Sequence, residues 1–140
     1  MWNAPNPEQF YRQVWDIVRQ IPAGKVSTYG QIASMIPPAP DADPDSHRRL
    51  SPRWVGRALR SETSDGLPWH RVINSQGTIS LPAGSTDALT QRRRLIAEGV
   101  QFSASGRVDF DLYGWDGPDE EWLMMQGLRT PAALGQKRLF

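Results

Sequence analysis

The sequence has no cysteine among its 140 residues and only two histidines. Without thiols, the chain can form no disulfide, no thiolate metal site and no cysteine nucleophile. The histidines, His47 in a predicted loop and His70 in a separate motif, do not make a metal-ligand cluster, so we expect no metal and no cofactor. Hydrophobic runs of membrane-spanning length are also lacking, as is the basic and then apolar pattern of a signal peptide. We therefore expect a cytoplasmic protein with no membrane partner.

Lysine is scarce as well, since arginine supplies 14 of the 16 basic residues. The net charge of +1 hides an uneven distribution. Residues 48–94 carry nine arginines against three acids, whereas residues 109–121 carry six acids and no base. A middle segment rich in guanidinium groups suits contact with phosphates, as in nucleic-acid binding. The alternative is a solvated, arginine-rich surface without a nucleic-acid partner.

Length and composition fit one folded domain. The chain is 39% hydrophobic and 22% charged, which is ordinary for a globular protein of 140 residues. We expect a single domain over 1–140, with a core at about 6–114 and a tail over 115–140 that docks on the body or is partly disordered. The predicted class is α+β: a small, mainly helical, winged-helix-like or helix-turn-helix domain with short β-hairpins.

Two helix starts are predicted near the N-terminus. Asn6 and Pro7 form an N-cap followed by a proline at the first helical position, and apolar residues then recur at helical spacing as far as Ile21. Thr28, with Gln31 three residues later, has the pattern of a capping box and predicts a second helix. Tyr29 falls in its first turn, beside free N–H groups that favour phosphate binding. A half-buried tyrosine is the alternative interpretation of Tyr29.

A proline-rich, acidic loop is predicted over 37–50, and a third helix is predicted to begin at Ser51-Pro52. Trp54 belongs to the apolar face of that helix. The opposite face carries residues at i, i+3, i+4 and i+7, which we call the arginine stripe: Arg53, Gly56, Arg57 and Arg60. A second helix with a basic face is typical of a helix-turn-helix docked on DNA, although the loop before it is longer than the usual turn.

Two short hairpins are predicted in the second half of the chain. Residues 70–73 and 78–81 flank a turn, and residues 100–102 and 108–112 alternate across a second turn. Between the hairpins, a helix is predicted over 86–97.

The predicted fourth helix would direct Leu89 and Ile96 inward and its three consecutive arginines outward, with Gly99 as its stop. Beyond the second hairpin, the side chains of 122–125 are expected to dock on the body.

The stretch Pro68-Trp69-His70-Arg71-Val72-Ile73 is central to the chain. Proline restricts the backbone of the residue before it and fixes its own φ, so the backbone that leads into Trp69 is conformationally restricted. One interpretation is a core tryptophan at the start of a short strand. The other is an indole held at a binding site, as the neighbouring basic segment suggests.

Five motifs follow one another over roughly residues 10–100: Phe10-x-x-x-Val14-Trp15, Ile21-Pro22-x-Gly24-x-Val26-Ser27-Thr28-Tyr29-Gly30-Gln31-Ile32-Ala33, Arg53-x-Val55-Gly56-x-Ala58-Leu59, Pro68-Trp69-His70-Arg71-Val72-Ile73-Asn74-Ser75-x-Gly77 and Glu98-Gly99. Together they resemble the C-terminal, DNA-binding domain of the O6-alkylguanine-DNA alkyltransferases, and more closely their alkyltransferase-like relatives. Repairing members have cysteine in the fourth motif where this chain has Trp69, and that exchange marks the alkyltransferase-like group.

The resemblance implies a role for each matching position. Thr28, Tyr29, Arg53, Trp54, Gly56, Arg57 and Arg60 would contact DNA through the minor groove. Tyr29 would help to rotate a nucleotide out of the duplex, and Arg53 would fill the gap. Tyr29, Trp69, Val72, Pro82 and Ala83 would line the pocket for the flipped base. His70 and Glu98 match the pair that activates the cysteine in the enzymes, and without a thiol they would be structural.

The resemblance therefore predicts a non-enzymatic sensor that binds O6-alkylguanine in double-stranded DNA, flips the nucleotide and flags the site for nucleotide excision repair. Its partners would be damaged DNA and excision-repair proteins. We expect a monomer in the cytoplasm, associated with the nucleoid in a bacterium or nuclear in a eukaryote. An alkylated guanine pairs poorly, so the cost of unstacking it, on the order of a few kcal/mol, is reduced.

Two alternatives come from other classes of protein. A hydrolase could use His70 and Glu98, but a nucleophile at a suitable spacing is missing. A sequence-specific helix-turn-helix regulator would read the major groove and usually dimerise. The Trp69 motif and the lack of an obvious dimerisation segment argue against the regulator.

Overall fold

The structure is a computed structural model and describes residues 4–61 and 66–134. These residues form six α-helices, one 3₁₀ turn and a two-stranded parallel sheet. In chain order the elements are α1 (Pro7–Val18), β1 (Ser27–Thr28), α2 (Tyr29–Ser34), α3 (Pro44–Ser61), the 3₁₀ turn (Trp69–Arg71), β2 (Val72–Ile73), α4 (Thr86–Ala97), α5 (Phe110–Tyr113) and α6 (Glu120–Met125). The predicted α+β class, mainly helical, is confirmed.

Helices α1, α2 and α3 pack together around the main core. The first helix starts as predicted, because the Asn6 side chain accepts a hydrogen bond from the Gln9 N–H. Thr28 caps α2 in the same way, accepting from the Gln31 N–H at 3.0 Å. The reciprocal bond of a capping box is replaced: the Gln31 side chain is buried and donates to the Trp115 carbonyl at 2.9 Å. Gln31 therefore joins α2 to the C-terminal segment.

Helix α3 begins at Pro44, about two turns before the predicted start at Ser51. Asp43 supplies the cap, since its carboxylate accepts from the Ser46 N–H at 3.2 Å. The predicted loop of 37–50 is therefore shorter than expected. Pro52 lies inside the helix, where it lacks an N–H for the backbone ladder, and tertiary packing offsets that loss. His47 joins the buried face and contacts the Ile36 carbonyl at 2.9 Å through Nε2.

The predicted hairpin of 70–73 with 78–81 is wrong. Strand β2 pairs in parallel with β1, with Ser27 opposite Val72 and Thr28 opposite Ile73. The turn after β2 does form, since the Gly77 N–H donates to the Asn74 carbonyl at 3.0 Å. A sequence pattern that reports extended segments cannot report which segment lies alongside, and here the partner comes from 45 residues earlier in the chain.

The second predicted hairpin is reduced to a single antiparallel bridge between Phe102 and Val108. Residues 110–113 form α5 instead of continuing as a strand, because the Asp109 carboxylate caps the turn and accepts from the Asp111 N–H at 2.9 Å. Val26, Ile73, Leu95, Val100 and Val108 form a second, smaller core under this region.

Helix α4 has the predicted bounds, and its stop is confirmed: Gly99 has a φ of +95° and follows the last turn. Its predicted inward face is wrong. Leu89 and Ile96 are 50% and 51% exposed, while Ala88, Gln91 and Leu95 are buried. Gln91 takes an inward position, where its side chain donates to two backbone carbonyls, and a prediction from apolar spacing alone does not detect such a polar contact.

The C-terminal segment as far as residue 134 packs on the body. Trp115, Leu123 and Leu134 are buried, as expected of a docked tail, but Met124 and Met125 are 75% and 77% exposed, so their predicted docking is wrong. The last residues of the predicted tail, 135–140, lie outside the described part. Within the described part, none of the helices combines the length and the apolar character that crossing a bilayer requires.

Candidate nucleic-acid interface

A surface cavity of about 420 Å³ opens beside the 3₁₀ turn. Such a volume is in the range of pockets that hold small molecules, roughly 300–1,000 Å³. Its walls come from five parts of the chain, namely α2, α3, the 3₁₀ turn, the segment after β2, and α4. The lining residues are Tyr29, Gly56, Leu59, Arg60, Trp69, Leu81, Asp87 and Gln91. The cavity therefore brings together residues that are as much as 62 positions apart in the sequence.

Trp69 opens the 3₁₀ turn and is half-buried, so the indole is neither fully in the core nor fully in solvent. Pro68 before it is buried and acts as the cap of the turn. The Arg94 guanidinium lies 5.7 Å from the centroid of the indole ring, which places a cation over its π face. The ring of His70 meets the indole edge-on, with centroids 6.4 Å apart. The indole is thus held from two sides and still lines the cavity.

Tyr29 lies at the first position of α2 and lines the cavity, next to the loop after β2. Its hydroxyl is 3.1 Å from the Ser80 hydroxyl, a contact that joins α2 to that loop. The same loop contributes Leu81 to the lining. A phenol at a helix start presents its ring to the cavity, and its hydroxyl is exposed enough to exchange the Ser80 contact for a ligand.

The arginine stripe runs along the outer face of α3 beside the cavity. Arg53 and Arg60 are exposed and Arg57 is half-buried. A Cβ atom added at Gly56 would stand 3.5 Å from Arg60 Nη1 and 4.0 Å from Tyr29 Cε1. The missing side chain therefore leaves room where the arginine stripe meets the cavity. Three guanidinium groups on one face are suited to reading the phosphates of a nucleic-acid backbone.

Behind the cavity, Glu98 holds the 3₁₀ turn in place. Its carboxylate accepts from Arg71 Nη2 at 2.7 Å, from His70 Nε2 at 2.8 Å and from the Gly24 N–H at 3.0 Å. Gly24 has a φ of +86°, and a Cβ there would stand only 3.3 Å from the Glu98 carbonyl oxygen. Burial raises the pKa of Glu98, but the hydrogen bonds from Arg71, His70 and Gly24 outweigh it and lower the pKa to about 2.

The imidazole of His70 is neutral at physiological pH. Burial lowers its pKa, against the hydrogen bond to Glu98, which acts in the opposite direction. Since Glu98 is ionised, His70 Nε2 carries the proton and donates it, and Nδ1 is left with a lone pair. Nδ1 is buried and has no hydrogen-bond partner within residues 4–61 and 66–134. The pair predicted from the resemblance is thus in contact, in an arrangement that orients the turn.

Gln91 is a residue of this region that sequence reasoning missed. It is buried, lines the cavity, and donates through Nε2 to the carbonyls of His70 at 3.2 Å and Val72 at 2.9 Å. These bonds tie α4 to the backbone of the central motif. The only local signal was a glutamine three residues after an apolar one on a helix, which equally fits a solvent-exposed position.

Several predicted site residues lie elsewhere. Trp54 is 5% exposed and packs edge-on against Phe10 and His47, so it belongs to the core and offers no surface to DNA. Thr28 is buried and its side chain caps α2. Val72 is 1% exposed and belongs to the main core, and its carbonyl accepts a hydrogen bond from the Gln91 side chain.

Pro82 and Ala83, which were predicted to line the pocket, are exposed, and their segment contributes Leu81 to the lining instead. A group of three or more histidine, aspartate or glutamate side chains that could hold a metal ion is not found in the described ranges, 4–61 and 66–134. The site consists of a cavity, an indole, a phenol and a row of guanidinium groups.

Comparison with known proteins bears on this site. The chain is 39% identical over 109 residues to the DNA base-flipping protein of Escherichia coli, covering 78% of this chain and 76% of that protein. It is 39% identical over 106 residues to alkyltransferase-like protein 1 of Schizosaccharomyces pombe, covering 75% and 89% of the two chains.

The fold is similar to a solved structure as well. The crystal structure of S. pombe Atl1 in complex with damaged DNA containing O6-carboxymethylguanine matches with a TM-score of 0.57 and 36% identity, covering 77% of this chain and 95% of that one. Residues 9–100 match the family described as 6-O-methylguanine DNA methyltransferase, DNA binding domain. The matched residues include the arginine stripe, the 3₁₀ turn with Trp69, and Glu98. The chain belongs to the family of 6-O-methylguanine DNA methyltransferase DNA-binding domains.

Proposed function

We propose that this protein is a non-enzymatic sensor of alkylated guanine in DNA. It binds the duplex through the arginine stripe, rotates the damaged nucleotide out of the stack and holds it in the cavity between Tyr29 and Trp69. The observation that carries the proposal is the position of Trp69: a half-buried indole lines a cavity at the motif position of the acceptor cysteine of repairing alkyltransferases.

The chemistry of the side chains supports recognition without reaction. The chain has no cysteine, so the acceptor of the alkyl group in repairing members has no counterpart. His70 and Glu98 are in hydrogen-bond contact, but the thiol that such a pair would activate is replaced by an indole. An indole offers a flat apolar surface on which a purine and an alkyl group can stack. The protein would therefore bind the lesion and leave it chemically unchanged.

The distribution of charge supports the mode of binding. Arg53, Arg57 and Arg60 lie on one face of α3, and Arg60 also lines the cavity, so phosphate contact and base capture are contiguous. Arg53 is exposed one turn before Gly56, where it can enter the space that the flipped nucleotide leaves. A guanidinium in the stack offsets part of the unstacking cost through stacking and charge.

The proposal extends to the step after binding. A protein that flips a lesion and does not repair it is useful only if it marks the site, and we propose that the marked site is passed to nucleotide excision repair proteins. We further propose that it acts as a monomer, in the cytoplasm or wherever the chromosome lies. A pull-down on a lesion-bearing duplex with purified excision-repair proteins tests the partner, and light scattering tests the monomer.

The decisive experiment compares two duplexes that differ only in one O6-methylguanine. Titration of the protein into each, by fluorescence anisotropy, should give a lower Kd for the damaged duplex. A radiolabelled methyl group on the guanine should stay with the DNA after incubation. Equal affinities for the two duplexes would contradict the sensor, and stoichiometric transfer of label to the protein would contradict the absence of chemistry.

A further inference from the structure

The cavity contains two ionisable groups of opposite sign, Arg60 on α3 and Asp87 on α4. Asp87 is in the first turn of α4, one turn before Gln91, so both side chains are on the cavity side of that helix. Within residues 4–61 and 66–134, neither the carboxylate of Asp87 nor the guanidinium of Arg60 takes part in a hydrogen bond or an ion pair. Asp87 is exposed, so water can solvate its carboxylate.

The two charges are on different walls. Arg60 Nη1 lies 3.5 Å from where a Cβ at Gly56 would be, and Tyr29 Cε1 lies 4.0 Å from the same point. Asp87 is on the wall that Gln91 ties to the 3₁₀ turn. A bound purine carries no charge and would neutralise neither group. A substituent that the base carries into the cavity would therefore meet the field of both groups, and of the two only Asp87 opposes an anion.

We propose that Asp87 shifts the charge preference of this cavity for the substituent on the damaged base: its carboxylate disfavours an anionic substituent relative to a neutral one and favours a cationic one. This inference rests on the proposed function, because it assigns a specificity determinant within the same site. Like charges brought together in a partly enclosed site repel more strongly than in bulk water. The S. pombe relative was crystallised with O6-carboxymethylguanine, which carries a carboxylate at neutral pH, so adduct charge is a relevant variable.

The test uses three adducts in one duplex sequence: O6-carboxymethylguanine, O6-carbamoylmethylguanine, which has the same shape without the charge, and O6-(2-aminoethyl)guanine. The Kd of each is measured for the wild type and for Asp87→Asn at low salt. In Asp87→Asn, the ratio of the carboxymethyl Kd to the carbamoylmethyl Kd should fall by about 1.5- to 5-fold, the scale of one exposed charge pair at a protein surface. The ratio of the aminoethyl Kd to the carbamoylmethyl Kd should rise.

Controls separate local from general charge effects. Asp116→Asn removes the same charge from an exposed position outside this cavity, so it should change all three Kd values by one common factor. Asp87→Glu keeps the charge and should keep the wild-type ratios. The effect of Asp87→Asn should also shrink as salt is added, because the Debye length falls to about 10 Å at 0.1 M. Should Asp87→Asn prove unfolded by thermal denaturation, Asp87→Ser serves as the neutral variant.

The outcomes are distinguishable. If the ratios for Asp87→Asn are the same as those of the wild type or of Asp116→Asn, Asp87 is not the determinant and the inference is overturned, while lesion binding itself stands. If the wild type binds none of the three adducts more tightly than the undamaged duplex, the proposed function fails and the inference fails with it.

Discussion

Glu98 and Arg71 form the closest ion pair of the site, with Arg71 Nη2 at 2.7 Å from Glu98 Oε2. Glu98 is the C-cap residue of α4, and Arg71 ends the 3₁₀ turn that starts with Trp69. Arg71 also donates to the Ile21 carbonyl at 2.7 Å. The pair therefore connects three separate segments of the chain behind the cavity, and the position of the indole depends on it.

Replacing Trp69 tests whether the indole reads damage. Trp69→Ala should weaken binding to O6-methylguanine DNA much more than to the undamaged duplex, because the indole meets the base only after flipping. Base–aromatic stacking contributes roughly 1–3 kcal/mol, so the ratio of the two Kd values should shrink by about 5- to 150-fold. The measurement is a pair of anisotropy titrations for each protein.

Thermal unfolding of Trp69→Ala supplies the matching control. Because the indole is half-buried, its removal should lower the free energy of unfolding by less than the roughly 3–5 kcal/mol lost when a core tryptophan is truncated. Trp54→Ala, which truncates a tryptophan of the main core, should show that larger loss. A Trp69→Ala protein with a large fall in Tm and an unchanged Kd ratio would mean that the indole is part of the core.

Arg53 is predicted to fill the gap that the flipped nucleotide leaves in the base stack. Arg53→Ala should weaken binding to damaged and undamaged duplexes, since the flipped state loses the group that occupies the gap. A fluorescent base analogue beside the lesion should report less flipping at saturating protein. Arg57→Ala is the matched control from the same stripe, and it should lower affinity while leaving the flipped fraction at saturation unchanged. The reverse result would mean that Arg57, and not Arg53, fills the gap in the base stack.

The arginine stripe predicts a steep salt dependence. The logarithm of the binding constant for duplex DNA should fall with the logarithm of the salt concentration, with a slope of about −0.9 for each phosphate contact. Arg57→Gln or Arg60→Gln should each flatten the slope by up to about one unit. Arg129→Gln, which removes an exposed arginine in the C-terminal segment, serves as the comparison. An unaltered slope in the stripe variants would place them away from the DNA backbone.

The Glu98 network predicts a loss of stability at acid pH. The pKa of Glu98 is about 2 in the folded chain, below its usual value of 4.5, so folding favours the ionised form. The resulting stability is fully present above the usual pKa and is lost as the pH falls through the window from 4.5 towards 2. Chemical denaturation at a series of pH values should show this decline.

Glu98→Gln should remove that part of the decline and lower the free energy of unfolding at neutral pH by roughly 1–3 kcal/mol, because Arg71 is left without its charged partner. Glu121→Gln, at an exposed position of α6, should behave like the wild type. His70 adds a loss in the same direction, beginning below its usual pKa of 6.5, because burial lowers its pKa and disfavours its protonation in the folded chain. A pH profile unaffected by Glu98→Gln would contradict this account.

Local sequence signals determined much of this protein. The caps at Asn6 and Thr28 and the bounds of α4 were predicted correctly, because capping and helical spacing act over a few neighbouring residues. The absence of cysteine and the presence of Trp69 within a family motif were enough to predict recognition without alkyl transfer.

The cavity itself was decided by the tertiary structure. Parallel pairing of β2 with β1 and the rotation of α4 onto Gln91 depend on contacts between segments distant in the sequence, which local patterns do not encode. The burial of Trp54 and the lining role of Asp87 result from the same packing, because a helix face becomes core or surface only when its neighbours are in place. The sequence determined that no thiol is available at the position of Trp69, and the packing decided which side chains meet around the indole.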